Sequence, residues 1–305
     1  MANLVTGGAG FIGANIVDKL IKNGEKTIVV DNLSRGSREN LNDEAEFYEI
    51  DIRDQQVLKN VFRKHEIEYV YHQAAQADAV LAQEEPAFDA ETNIVGSLNI
   101  LEMCVEYDVK KVVYASSAAV YGTPTELPLQ EEHLAAPESP YGVSKLTLEY
   151  YLEIYKEQYD LDYAALRYAN VYGPRQFAEG EGGVIAIFIT RALNGSPLIV
   201  YGDGKQTRDF IYVDDVAEAN LKAMTSNTNG VYNISCGKQT SLLKIISLLE
   251  DIFDKKLKTS YEAPRSGDIK HSCLNNNKAK NQLDWVPNFN LKKGLENTVK
   301  YYKNK

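Results

Sequence analysis

The sequence predicts an α/β protein: a doubly wound parallel sheet followed by a smaller C-terminal α/β lobe. Three observations predict it. Short apolar runs alternate with amphipathic helical segments from residue 2 to residue 168. A glycine turn, Gly7-Gly8-Ala9-Gly10-Phe11-Ile12-Gly13, joins the first apolar run to the first helical segment. After residue 173 the alternation breaks into glycine-containing loops around shorter elements.

The 305 residues can bury a large core in two lobes. Apolar residues make up 44% and charged residues 25%, as in ordinary globular proteins. A formal charge of −10 argues against a general nucleic-acid binder or an anionic-membrane protein. Local arginines can still hold a small anionic ligand. Cys104, Cys236 and Cys273 are far apart, and the four histidines are scattered, so neither a metal nor a disulfide framework is expected. No stretch approaches the roughly 18 apolar residues of a membrane span. The chain runs directly into a strand pattern, so no secretory signal is expected and a reducing cytoplasm is the default.

Residues 2–6 read as a short buried strand, and a helix follows the glycine turn to residue 23. Residues 26–30 read as a second buried strand, ending at Asp31. Strand, glycine turn, helix, strand and acid is the order of a Rossmann-type dinucleotide-binding unit. The glycines let backbone N–H groups approach a pyrophosphate, and the helix N-terminus favours its charge. Gly7, Gly10 and Gly13 are spaced Gly-x-x-Gly-x-x-Gly. Asp31, 18 residues after Gly13, can accept from both adenosine ribose hydroxyls and would repel a 2′-phosphate, which favours NAD over NADP.

The alternation continues with strands over residues 46–50, 69–72, 111–116 and 163–168, and helices over 54–65, 86–107 and 141–159. Repeated βα units imply parallel strands with right-handed crossovers, and ligands beyond the carboxyl strand ends. Those ends carry Gly7, Asp31, Asp51, Gln73–Ala75, Ser116-Ser117 and Asn170. Residues 1–173 are expected to form the NAD-binding domain, with a return to it around 209–235. Residues 174–305 are expected to form a second lobe, with helices over 184–193 and 214–224.

Tyr141 and Lys145 are one helical turn apart. A free Tyr titrates near pH 10, and a neighbouring ammonium favours the phenolate, which makes such a pair a usable acid/base group. Ser117, at a strand end, can relay or donate a hydrogen bond to a reacting oxygen. Alone, each residue also reads as an ordinary surface pair or turn residue; the order of glycine turn, Asp31, Ser117, Tyr141 and Lys145 raises them together.

That order resembles the extended short-chain dehydrogenase/reductase superfamily, most closely its UDP-glucose 4-epimerase branch. The matching motifs run along the whole chain. They include Asp31–Gly36 (Asp-Asn-Leu-Ser-Arg-Gly), Asp51-Ile52, His72–Gln76, Asn93, Ser116–Gly122, Tyr141–Lys145, Leu166–Gly173, Arg208–Asp215, Arg265–Asp268 and Leu283-Asp284-Trp285. The resemblance implies Phe11 and Ile12 against the pyrophosphate; Asp31, Asn32, Ser34 and Arg35 around the adenosine ribose; and Asp51 and Ile52 at the adenine. Gln73, Ala74, Ala75, Asn93 and Ala169 would line the cofactor further along. Ala77 stands where some members carry a Lys.

The resemblance also implies a 4-keto mechanism. Tyr141 would take the proton of the sugar 4-hydroxyl, Lys145 would hold the nicotinamide ribose and lower the Tyr141 pKa, and Ser117 would bridge Tyr141 to the substrate oxygen. NAD would be restored each cycle. Related 4,6-dehydratases carry an Asp-Glu pair where this chain has Ala118 and Ala119, which disfavours elimination. Epimerases of glucuronate or other nucleotide sugars, and simple oxidoreductases, stay open.

On the substrate side, Arg208 and Arg265 would clamp the UDP diphosphate. Asn170, Val184 and Tyr201 match positions that contact nucleotide or sugar. Ser272 matches the sugar-pocket gate, where a small residue leaves space for a 2-acetamido group. The helices over 86–107 and 141–159 carry apolar faces (Leu98, Leu101, Val105; Leu148, Tyr151, Leu152, Tyr155). Core packing explains most of them, and the resemblance implies a homodimer through a four-helix bundle.

Overall fold

Ala2–Thr6 forms β1, buried along its whole length. The glycine turn leads into α1 (Phe11–Lys22), and β2 (Thr27–Asp31) follows, equally buried. Strands covered on both faces need no polar alternation, which is why their centres, Leu4-Val5 and Ile28-Val29-Val30, are apolar on both faces. The computed structural model describes residues 1–178, 183–264 and 269–305. Next come β3 (Glu46–Glu49), α2 (Gln55–Lys64) and β4 (Ile67–His72).

The helix expected over residues 86–107 is not one regular helix. A short α3 (Ala79–Glu84) precedes it, capped by Asp78, whose Oδ1 accepts from the N–H groups of Val80 and Leu81 at 3.0 and 3.1 Å. Pro86 then opens α4 (Pro86–Ala90), and a π turn over Glu91–Val95 joins it to α5 (Gly96–Glu106). Such a turn adds one residue to the helical repeat and is frequent at functional sites. Here it carries Asn93.

The strand β5 (Lys111–Ser117) ends in a 3₁₀ turn over Ala118–Tyr121. The helix α6 (Pro140–Tyr159) starts one residue before the expected position, because Ser139 caps it, accepting from the Gly142 N–H at 3.1 Å, and Pro140 suits the first turn. Then follow β6 (Asp162–Tyr168), β7 (Asn170–Tyr172), α7 (Val184–Leu193), β8 (Leu198–Tyr201), β9 (Thr207–Arg208) and β10 (Phe210–Tyr212). The chain ends with α8 (Val213–Thr225), β11 (Gly230–Ile234), β12 (Thr240–Ser241), α9 (Leu242–Phe253), β13 (Thr259–Glu262), α10 (Asn277–Gln282) and α11 (Leu291–Asn304).

Seven strands form one sheet in the order β11-β6-β5-β4-β1-β2-β3, and every neighbouring pair is parallel. The strand order reverses between β1 and β4, which opens a crevice beyond their carboxyl ends. One core cluster holds Ile16, Val17 and Leu20 of α1 with Val216, Ala217 and Ala223 of α8. Another holds Leu58 and Phe62 of α2, Ile100 and Leu101 of α5 and Leu148 and Leu152 of α6. A third, around Tyr172, Phe188, Leu198, Phe210, Ile245 and Leu295, belongs to the C-terminal elements. Among the described residues no helix is long and apolar enough to cross a membrane.

Candidate active site

Gly7 follows β1 with φ +68°, a conformation a side chain strains, and a methyl group there would meet Ala74 N at 2.7 Å. The β1–α1 turn therefore lies directly against the segment after β4. The capping position of α1 is Gly10, which has no side chain to offer the first-turn N–H groups, and no acid sits in that turn. Such a helix end suits a phosphate. Phe11 and Ile12 are half-buried in that turn, and Gly13 packs on Gly7 too closely for any side chain.

Asp31 ends β2. Its Oδ2 accepts from the Ala9 N–H at 3.0 Å and its Oδ1 from the Leu33 N–H at 2.8 Å, which joins β2 to the glycine turn. Burial raises its pKa, and those two N–H groups pull it back. Asn32 Oδ1 accepts from Ser34 N and Oγ at 3.0 and 2.6 Å, and Asn32 Nδ2 donates to Asp51 Oδ2 at 3.0 Å. Asp51 is also gripped by Arg53 Nε and Nη2, which, against the effect of burial, lowers its pKa to about 2. Ile52 is buried behind it. Acceptor groups are thus fixed at the carboxyl end of β2 and in the loop after β3.

Arg35 is exposed and engages protein: it pairs with Asp78 at 3.2 Å and lies 5.5 Å from the Phe177 ring centroid. Gln73, Ala74 and Ala75 follow β4. Gln73 Oε1 accepts from the Tyr168 hydroxyl, and Gln73 Nε2 donates to Asn220 Oδ1, each at 3.1 Å. Ala169 is buried next to Tyr168, and its N–H donates to Ile234 O. The amide of Asn93 is taken up by protein partners: it accepts from Gln76 N at 2.8 Å and donates to Gln76 O, Asp89 Oδ1 and Ser144 Oγ at 2.8, 3.0 and 3.1 Å. Its side chain holds the 73–76 segment.

Ser117, Tyr141 and Lys145 converge where α6 meets the end of β5. A methyl group on Gly142 would meet the Ala119 carbonyl oxygen at 2.6 Å, so the first turn of α6 rests on the 3₁₀ turn after Ser117. Ala119 N–H donates to Ser117 Oγ at 3.1 Å, which leaves the Ser117 proton for a further acceptor. The Tyr141 pKa stands above that of a free Tyr and not below it as expected: burial raises it, the Ser117 hydroxyl pulls it down, and the charge of Asp89 raises it further. Lys145 Nζ lies 5.8 Å from the Tyr141 ring centroid and 5.0 Å from that of Tyr114. Burial lowers the Lys145 pKa to about 8, against the opposing pull of Asp89.

On the other side, β7 pairs with β10, and Asn170 N–H donates to the Asp209 carbonyl at 2.9 Å, leaving the Asn170 side chain exposed. Asp209 Oδ1 and Oδ2 accept from the N–H groups of Cys236, Gly237 and Leu274 at 2.9, 3.0 and 3.3 Å. Burial raises its pKa to about 6. Asp209 thus joins the segment bearing Asn170 through its carbonyl and the 272–274 segment through its carboxylate; Ser272 N–H donates to the Thr207 carbonyl at 3.1 Å. Val184 opens α7, and Tyr201 ends β8, which pairs with β13. Arg265 lies outside the described residues.

Three site-building residues carry no separate signal in the sequence. Asp89 is buried against Gln76 and Asn93, with only its i, i+4 spacing to Asn93 to suggest it. Tyr168 and Asn220 lie under Gln73, joined to each other by the Asn220 Nδ2 bond to the Tyr168 oxygen at 2.8 Å.

Residues 3–235 match the model of the NAD dependent epimerase/dehydratase family. The chain belongs to that family. It is similar to the UDP-glucose 4-epimerase of Mycolicibacterium smegmatis, 38% identical over 312 residues that cover 100% of this chain and 99% of that one. The crystal structure of UDP-glucose 4-epimerase with UDP-glucose from Thermotoga maritima is 47% identical, covers 100% of this chain and 99% of that chain, and superposes with a TM-score of 0.97. The UDP-glucose 4-epimerase of Thermus thermophilus in complex with NAD is 39% identical, covers 99% of each chain and gives a TM-score of 0.94. The seven-stranded parallel sheet is the sheet of this family.

Proposed function

We propose that this protein interconverts UDP-glucose and UDP-galactose by NAD-dependent epimerisation at C4. The observation that carries the reading is the convergence of Ser117, Tyr141 and Lys145 where α6 meets the end of β5, with Lys145 Nζ 5.8 Å from the Tyr141 ring centroid. It is supported by the relatives, which are named for this reaction and whose structures hold UDP-glucose or NAD. NAD supplies the acceptor and donor of the C4 hydride. The open glycine cap of α1, the Asp31 carboxylate and the Gln73–Ala75 segment are the residues that would hold it.

Tyr141 takes the proton from the 4-hydroxyl as C4 becomes a ketone and gives it back after the sugar has turned over. Ser117, with its own oxygen already accepting from Ala119, donates toward that oxygen. Lys145, buried and held by the Ala115 carbonyl, keeps a positive charge beside the Tyr141 ring. Ala118 and Ala119 occupy the following turn and offer no proton for eliminating water, which favours epimerisation over dehydration.

Arg208 and Arg265 would bind the diphosphate; Asn170, Val184 and Tyr201 would complete the nucleotide-sugar site. At the sugar gate Ser272 is small and its neighbour Cys273 is turned toward Asp209, so the protein would also take UDP-GlcNAc and UDP-GalNAc. Residues 1–173, with a return around 209–235, would bind NAD, and residues 174–305 the nucleotide sugar. A cytoplasmic homodimer fits three free cysteines and the exposed Val95 in the π turn before α5 and Val143, Tyr150 and Ile154 along α6. The test is turnover of UDP-galactose by the purified protein and its Tyr141→Phe variant. General acid–base loss of about 10²–10⁴-fold in the variant, with NAD still bound, is the expected result. Full activity in Tyr141→Phe would refute the assignment.

A further inference from the structure

Glu149 follows Lys145 by four residues and Tyr141 by eight. All three therefore project from one face of α6, the face against β5. Glu149 is 5% exposed, and its carboxylate is held from two strands. Arg167 of β6 grips it with two prongs, Nε to Oε1 at 3.0 Å and Nη2 to Oε2 at 2.6 Å. The Ser116 hydroxyl of β5, one residue before Ser117, donates to Oε1. Arg167 also donates through Nη1 to the Glu131 carbonyl at 3.2 Å and lies 4.6 Å from the Tyr121 ring centroid. The Tyr121 hydroxyl in turn donates to Asn233 Oδ1 of β11 at 2.8 Å.

A buried ion pair is a poor source of stability, because desolvating both charges takes back most of the attraction. Its distinctive contribution is geometric. Two parallel N–H···O bonds fix the plane and position of a carboxylate, whereas an apolar contact tolerates sliding. The face of α6 therefore meets β5 at two polar points, Lys145 at the Ala115 carbonyl and Glu149 at the Ser116 hydroxyl, and Tyr141 lies one turn before Lys145 on that face.

We propose that Glu149 and Arg167 are positioning residues that set the register of α6 on β5 and so hold Tyr141 against Ser117. The proposal rests on Tyr141 being the proton-transfer group. It differs from a purely structural role in one respect: the pair matters for turnover even where it is dispensable for folding.

The deciding variant is the double substitution Glu149→Leu/Arg167→Met, which replaces both charges by apolar side chains of similar size. The expected result is a Tm at or above that of the unsubstituted protein, retained NAD, an unchanged KM for UDP-galactose and a kcat about 10²-fold lower, the scale of a small misplacement. Unsubstituted-level kcat in a stable double variant would overturn the proposal. If the double variant does not fold, Arg167→Lys decides, since it keeps the buried cation and loses the second prong. The expected kcat is then about tenfold lower at unchanged KM, and an unchanged kcat overturns the proposal. Tyr141→Phe assayed alongside separates the two ideas. Full turnover in that variant refutes the role of Tyr141 itself, whatever the pair does.

Discussion

Lys145 Nζ donates to the Ala115 carbonyl at 2.9 Å from a side chain only 3% exposed. Burial lowers its pKa to about 8 in the folded protein, while an unfolded lysine titrates near 10.4. Between these values the unfolded chain holds a proton that the folded chain does not. Stability therefore rises with pH across that window, and below it the buried charge costs its full amount. The unfolding free energy of the unsubstituted protein relative to Lys145→Met should increase by about 3 kcal/mol from pH 7 to pH 10.5. Urea denaturation of both proteins at each pH checks this. Lys111, also lowered to about 8 by burial, is common to both and cancels.

Gly142→Ala should damage site and fold together. The added methyl would lie 2.6 Å from the Ala119 carbonyl oxygen and 2.9 Å from Pro137 Cβ, so the first turn of α6 must lift. Overpacking of this kind costs about 1–3 kcal/mol. The expected outcome is a lower Tm and a reduced kcat, seen by thermal denaturation and initial rates.

Asn220→Ala should loosen the cofactor side of the crevice. It removes the acceptor of Gln73 Nε2 and the donor to the Tyr168 oxygen, both in a buried setting. Unpaired buried polar groups cost about 1–3 kcal/mol. The variant should lose NAD during dialysis faster than the unsubstituted protein, measured from the nucleotide released on denaturation.

Ser272→Tyr should narrow substrate choice. If Ser272 lines the sugar pocket, as proposed, turnover of both UDP-glucose and UDP-GlcNAc is expected. A bulky side chain should cut UDP-GlcNAc turnover by at least about tenfold while sparing UDP-glucose. Turnover of UDP-glucose alone by the unsubstituted protein would sink the wide-pocket reading.

The parallel sheet was legible because β1, β2 and β5 are buried on both faces and centre on short apolar runs, Leu4-Val5, Ile28-Val29-Val30 and Val112-Val113-Tyr114-Ala115. Gly7 and Asp31 were legible because a turn and a strand-end acid have local spacing. The π turn was not, since one inserted residue does not change the helical pattern around Asn93. Asn220 was not, since its partner Gln73 is 147 residues away. The C-terminal strands, several only two to four residues long, are too short to show a period. Glu149 was hidden in plain spacing: it continues the Tyr141–Lys145 face, but only the fold brings Arg167 to it.

In the proposed epimerisation one hydride leaves C4 and returns to the same carbon. NMR of the reaction of UDP-glucose deuterated at C4, in ordinary water, tests this step most directly. The expected product is UDP-galactose that keeps its deuterium at C4. Replacement of that deuterium by solvent hydrogen would rule the proposed step out.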